Sequence, residues 1–144
     1  MTTVKQISVF LENKKGRVAE LTRVLADHHI DLIALSISDT TEFGILRCIV
    51  SDTDAAVHAS REAGFTTSTT QVLAVEVPDH PGGLAAVMDC LKAGEISVEY
   101  LYSFVRKTDE NALIIFRVDD QERAISVLES SGVKLLSQEQ VLQV

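Results

Sequence analysis

The 144-residue sequence has few of the residues that mark disulfide-rich, disordered or membrane-spanning chains. It contains no Trp, 2 Cys, 2 Pro and 7 Gly, and aromatic side chains make up only 5% of it. The low Pro and Gly content excludes a low-complexity or disordered chain. No apolar run approaches the roughly 18 residues of a membrane-spanning helix, so no membrane association is expected. The N-terminus lacks a basic region followed by an apolar stretch of signal-peptide length, and we therefore expect a cytoplasmic protein.

Positive charge is also scarce. Thirteen Lys and Arg stand against 21 Asp and Glu, which gives a net charge of −8. There is no basic stripe with interleaved aromatic residues, so nucleic acid is not expected as a partner. Residues 1–70 carry 7 basic and 9 acidic side chains, whereas residues 71–144 carry 6 and 12. The excess of negative charge is therefore concentrated in the second half.

What the sequence does contain is an internal repeat, the pattern to seek before any other. When the sequence is shifted so that Val9 falls on Val75, the apolar and Gly positions of the two halves coincide. After residue 43 the shift is slightly larger, because the second half has a longer turn there, and Val50 falls on Val118. The identical pairs are Val9/Val75, Gly16/Gly82, Ala19/Ala85, Leu25/Leu91, Ile30/Ile96, Leu35/Leu101, Val50/Val118, Asp52/Asp120, Ala56/Ala124 and Gly64/Gly132. Matched apolar positions together with matched turn and cap residues indicate two copies of one unit.

Each copy predicts the element order βαββαβ from runs of β-branched residues and from apolar residues at helical spacing. In copy 1 the predicted strands are Gln6–Leu11, Leu32–Ser38, Ile45–Val50 and Phe65–Thr70, with one helix ending near His28 and another between Asp52 and Gly64. In copy 2 the strands are Leu73–Val77, Ile96–Phe104, Ala112–Val118 and Lys134–Leu136, with a polar turn at Arg106–Asn111. One helix of copy 2 contains Leu84, Val87 and Leu91, and the other runs from Asp120 to Gly132. Asp52 is a predicted N-cap, Gly64 a predicted helix end, and Ser137 and Gln140 a capping box.

This order is that of a four-stranded antiparallel sheet with two helices on one face. We therefore predict an α+β fold of two ferredoxin-like βαββαβ units with antiparallel sheets, packed side by side into a larger sheet. The predicted domains are residues 1–70 and 71–144.

No arrangement typical of catalysis is present. Cys48 and Cys90 lie far apart and outside any C-x-x-C pair, so we expect two buried thiols in a reducing compartment. The four histidines show no metal-ligand spacing. No Ser/His/Asp or Cys/His combination and no Gly-rich phosphate loop is recognisable. We expect a binding module that uses no cofactor and no metal, and that is not an enzyme.

The first strand-to-helix turn is the strongest local signal, and it occurs twice, as Asn13-Lys14-Lys15-Gly16 and as Asp79-His80-Pro81-Gly82. Free N–H groups at the start of a helix attract a carboxylate, and the Asn or Asp oxygen can accept from an ammonium group. Such a turn fits a zwitterionic ligand. On this spacing alone, however, we favour the simpler explanation, that Asn13 and Asp79 only cap the helices.

The two turns differ in charge. Lys14, Lys15 and Arg17 surround the first turn, which favours an anionic group at Asn13–Val18, although a solvated basic loop explains the same residues. The second turn carries Asp79, His80 and Gly83.

Two further patterns have alternative explanations. Ser36 and Ser38 share one face of a strand and either line a small polar pocket or face solvent at a sheet edge. Tyr100 and Tyr102 also share a face, and there we favour an interface between sheets over the wall of a ligand cleft.

The doubled βαββαβ order, together with an Asn/Asp-x-x-Gly turn in each copy, resembles a tandem ACT-domain protein over essentially the whole chain. The matching segments are Ile7–Leu35 with the continuation Leu35-Ser36-Ile37-Ser38-Asp39-Thr40, and Val75 to Leu84. ACT modules are regulatory sensors of small molecules, usually amino acids, and most are attached to enzymes of amino-acid metabolism. The resemblance implies ligand capture where two modules meet.

Candidate ligand-binding residues follow from this resemblance by position. In copy 1 they are Asn13, Lys15, Gly16, Arg17 and Val18, in copy 2 Asp79, Pro81, Gly82, Gly83 and Leu84, and for a facing strand Ser36, Ser38 and Tyr102. No catalytic domain is recognisable within the 144 residues. We therefore expect a non-catalytic regulatory protein that binds an amino acid between its modules, forms a homodimer and has a metabolic enzyme as a possible partner. The alternative is a protein-interaction subunit of a biosynthetic enzyme such as acetolactate synthase.

Overall fold

A computed structural model describes residues 2–12, 14–39, 43–104 and 111–144. Within these residues, seven strands and five helices form two compact units, each with an antiparallel sheet. The N-terminal unit comprises residues 5–70 and the C-terminal unit residues 71–144, with which residues 2–4 group. The predicted α+β class and the two ferredoxin-like βαββαβ units are confirmed.

The elements follow the predicted order. In the N-terminal unit they are β1 (Val4–Glu12), α1 (Arg17–Asp27), β2 (Leu32–Asp39), β3 (Phe43–Val50) and α2 (Thr53–Glu62). Strand β4 (Thr66–Pro78) runs through the boundary between the units. In the C-terminal unit α3 (Gly83–Ala93), β5 (Val98–Ser103), β6 (Asn111–Val118), α4 (Gln121–Ser130), β7 (Lys134–Leu136) and α5 (Gln138–Leu142) follow.

The sheet of the N-terminal unit has the strand order β2-β3-β1-β4. Ile7 on β1 pairs with Cys48 on β3, which in turn pairs with Leu35 on β2. Alternate residues of these strands face the apolar side of the helices, where Leu21 and Leu25 of α1 are 0% and 3% exposed. The helical spacing of these leucines therefore predicted the buried face of α1 correctly.

The C-terminal unit repeats this arrangement with the order β5-β6-β4-β7. Val75 on β4 pairs with Ile114 on β6 and with Leu135 on β7. These side chains form one buried cluster with Val87 and Leu91 of α3 and with Leu128 of α4. The second core is therefore built from the positions that match the first.

The predicted strands Phe65–Thr70 and Leu73–Val77 are a single strand of 13 residues, β4. No Gly or Pro interrupts residues 66–77, and the Thr-rich first part of the strand favours extended backbone. The chain therefore passes from one unit to the next without leaving the β conformation.

Strand β5 is shorter than the predicted Ile96–Phe104. Glu95 has a positive φ of 59°, and the N–H of Ile96 donates to the carbonyl of Leu91 at 2.9 Å, so residues 95 and 96 close helix α3 instead of starting the strand. His29, the repeat equivalent of Glu95, has the same left-handed conformation, with φ of 57°.

Side-chain caps begin α2, α4 and α5, and those of α2 and α5 were predicted. Asp52 accepts from the Ala55 N–H at 3.1 Å, and Asp120 accepts from the Arg123 N–H at 3.1 Å. Ser137 and Gln140 form the predicted capping box of α5. Each cap satisfies a first-turn N–H that the helix itself leaves without a partner.

Among the residues described, no helix is long and apolar enough to cross a membrane. Of the predicted polar turn Arg106–Asn111, only Asn111 is described, and it begins β6.

Candidate functional site

The two strand-to-helix turns have the same backbone geometry. Gly16 precedes α1 with φ of 86°, and Gly82 precedes α3 with φ of 91°. This left-handed conformation favours Gly at both positions. Unlike α2, α4 and α5, neither helix has a side-chain hydrogen bond at its cap in the described part of the chain. Within the described residues, α1 and α3 therefore begin after a glycine, which has no side chain to cap the helix.

Two of the basic side chains at the N-terminal turn are paired with carboxylates of the same unit. The Lys14 ammonium lies 2.9 Å from the Glu12 carboxylate, and the Arg17 guanidinium lies 2.7 Å from that of Glu20 and 4.0 Å from that of Glu12. The hydrogen bond and charge of Lys14, with Arg17 adding less, lower the pKa of Glu12 below its ordinary value. The positive charge available to an incoming anion is reduced accordingly.

Arg17 also packs against an aromatic ring. Its guanidinium carbon lies 4.1 Å from the centroid of the Phe65 ring, a cation–π geometry. The Phe65 ring is 4% exposed and the Arg17 side chain 17%. Arg17 therefore links the start of α1 to the residue before β4.

In the C-terminal turn the backbone of α3 approaches the end of β4 closely. A Cβ atom on Gly83 would collide with the carbonyl oxygen of Pro78 and lie 3.1 Å from the carbonyl carbon. The Gly83 N–H donates to the His80 carbonyl at 3.0 Å. Only Gly fits at position 83 in this geometry.

A cavity of about 380 Å³ lies beside this turn, within the C-terminal unit. Its wall comes from four places in the unit: the end of β4, the turn and first half of α3, the start of β6, and the segment between α4 and β7. The lining residues on the turn and on α3 are His80, Gly82, Gly83, Ala86, Val87 and Cys90. The other lining residues include Glu76, Pro78, Asn111, Val133 and Lys134. The volume is in the lower part of the range of roughly 300–1,000 Å³ typical of small-molecule sites.

The wall carries one charge of each sign. The Glu76 carboxylate lies 3.6 Å from the Lys134 ammonium, and their side chains are 17% and 61% exposed. Apart from these two residues and His80, the lining consists of small, apolar or uncharged side chains. Because these two charges are paired with each other, the wall favours neither an anion nor a cation.

The predicted candidates are only partly brought together. Gly82 and Gly83 line the cavity, whereas the described lining residues do not include Asp79, Pro81, Leu84 or Tyr102. Leu84 and its repeat equivalent Val18 are exposed apolar residues, at 37% and 39%. Lys15, Gly16 and Arg17 lie around the start of α1, and Asn13 lies outside the described residues.

The strand candidates Ser36, Ser38 and Tyr102 are not among the described residues that line this cavity. Ser38 on β2 accepts from the Arg47 guanidinium at 3.2 Å, and Ser36 on the same strand is half-buried. Tyr102 on β5 is 8% exposed, and its ring stacks on that of Tyr100 with centroids 6.5 Å apart.

The prediction of two buried thiols is half right. Cys48 is 1% exposed, and burial raises the pKa of its thiol to about 12. Cys90 is only half-buried and lines the cavity. No group of three or more His, Cys, Asp or Glu within metal-binding reach occurs among the described residues.

Sequence reasoning missed most of the cavity wall, including Glu76, Val87, Cys90 and the segment after α4. A signal was nevertheless present in the repeat. Where Gly83, Ala86 and Val133 line the cavity, the equivalent residues of copy 1 are larger, namely Arg17, Glu20 and Phe65.

Comparison with solved structures places this fold among known ones. Protein BT0572 from Bacteroides thetaiotaomicron shares 38% sequence identity, with a TM-score of 0.93 over 99% of this chain and 98% of that chain. The ligand-free regulatory subunit of aspartate kinase from Thermus thermophilus shares 14% identity, with a TM-score of 0.62 over 88% and 91%. Aspartate kinase from Synechocystis shares 22%, with a TM-score of 0.57 over 94% of this chain and 28% of that one. At the two lower identities the likeness concerns the fold alone.

None of the curated proteins compared with the chain matches it. In the comparison with protein families, residues 1–144 match the family described as an ACT domain pair. The match covers both copies of the repeat and, with them, the two Asn/Asp-x-x-Gly turns. The chain therefore belongs to the ACT domain pair family.

Proposed function

We propose that the chain is a non-catalytic regulatory protein that binds a free amino acid at an ACT module. We also propose residues 1–70 and 71–144 as its two domains. ACT modules are regulatory sensors of small molecules, which supports the class of function. The observation that carries the proposal is the cavity of about 380 Å³ beside the Asp79–Gly83 turn.

The cavity wall is mainly apolar, with a few polar side chains such as those of His80 and Asn111. Glu76 and Lys134 are paired with each other, so this ion pair offers a ligand no separate charge. Val87, Val133 and Ala86 offer apolar surface for a short side chain. A few placed polar groups in an otherwise apolar wall are typical of sites that orient a small ligand.

A thermal-shift panel of the twenty amino acids tests the proposal. A ligand that binds only the folded state stabilises it by about 2.7 kcal/mol at one hundred times its Kd, which raises Tm by several degrees. We expect a shift with one amino acid or a few related ones. If none of the twenty shifts Tm at millimolar concentration, amino-acid binding is ruled out as the function.

The sites predicted at the N-terminal turn and on the strands stay proposals of the same kind. They comprise Asn13, Lys15, Gly16, Arg17 and Val18 at the turn, and Ser36, Ser38 and Tyr102 on the strands. The ion pairs of Arg17 with Glu20 and Glu12 weaken the case for anion binding at the first turn. The second turn, Asp79–Leu84, is the better supported of the two.

Compartment and assembly are proposed on separate grounds. Cys48 and Cys90 are both free thiols, which supports the cytoplasm. Strands β2 and β5 each end the strand order of their sheet, and exposed sheet edges invite pairing with a second chain. We therefore propose a homodimer, and a monomeric mass in light scattering at micromolar concentration would contradict it.

A second candidate function is that of an interaction subunit of a biosynthetic enzyme. Large apolar side chains on both end strands support it: Ile37 on β2 is 46% exposed and Leu101 on β5 is 39% exposed. Co-purification with a larger catalytic chain would favour this candidate, whereas a lone protein saturated with an amino acid would favour the first.

A further inference from the structure

We draw no further inference here: the strongest candidate, the groove between α3 and α4 of the C-terminal unit, is lined mainly by small side chains such as Ala93, Ser126 and Ser130, and nothing in the described part of the chain shows which partner would cover it.

Discussion

Replacement of Gly83 by Ala puts a methyl group against the main chain of Pro78. The Cβ would collide with the Pro78 carbonyl oxygen and lie 3.1 Å from its carbonyl carbon. Both are backbone atoms, so the contact cannot be relieved by a side-chain rotation, and the start of α3 must move away from β4. Overpacking that shifts backbone costs about 1–3 kcal/mol, and we expect about 3 kcal/mol here.

Two other glycines supply matched controls. A Cβ atom on Gly16 or Gly82 would meet nothing within 4 Å, so Gly16→Ala and Gly82→Ala carry only the strain of positive φ, about 1–2 kcal/mol each. For a chain of this size, 1 kcal/mol corresponds to roughly 3–4 °C in Tm. Gly83→Ala should therefore lower Tm by about 10 °C, compared with about 3–8 °C for each control.

The assay is thermal unfolding followed by circular dichroism, repeated with the best amino acid present. Because Gly83 lines the cavity, Gly83→Ala should also weaken binding, whereas Gly16→Ala lies in the other unit and should not. A Gly83→Ala protein that melts within about 2 °C of wild type (roughly 0.6 kcal/mol) would refute the close approach of α3 to β4. So would a Gly83→Ala protein that is more stable than Gly82→Ala.

Two further predictions use pairs of residues within the chain. Asp52→Ala and Asp120→Ala each remove a helix cap of the same geometry. In urea titrations, each should lower the free energy of unfolding by about 1 kcal/mol. A loss below ~0.3 kcal/mol for both variants would contradict the capping role. Iodoacetamide at pH 8.5 should modify Cys90 and spare Cys48 in the folded protein, because a pKa of about 12 leaves ~0.1% or less of the Cys48 thiol as reactive thiolate. The rate of Cys48 modification should rise about tenfold per pH unit below the pKa of its thiol. If mass spectrometry finds both thiols modified equally fast at pH 8.5, this prediction is wrong.

The side-chain caps that begin two of the helices could be predicted, because capping depends on local chemistry. The Asp52 cap and the Ser137–Gln140 capping box depend on atoms close together along the chain, so composition and spacing were sufficient. The end of α3 was harder, because Glu95 takes a left-handed conformation that non-glycine residues rarely adopt. The predicted strand accordingly began at Ile96, whereas β5 begins at Val98.

The candidate site was only partly predictable for a different reason. Arg17 was a candidate for ligand binding because it is basic and close to a helix start. Its partner Glu20 lies on the next turn of the same helix, whereas Phe65 is distant in the sequence and reaches Arg17 only through the fold. The ring contact changes the interpretation of Arg17 from a free cation to a packed side chain.

The amino-acid sequence by itself determined the repeat, the α+β class and the family, because these depend on residue types at regular spacing along the chain. Tertiary structure decided which side chains meet beside each turn. Gly83 and Val133, far apart in the sequence, line one cavity wall in the C-terminal unit, and Arg17 and Phe65 meet in the N-terminal unit. Packing between elements distant in sequence depends on distances of a few ångströms, and residue spacing alone does not specify such distances.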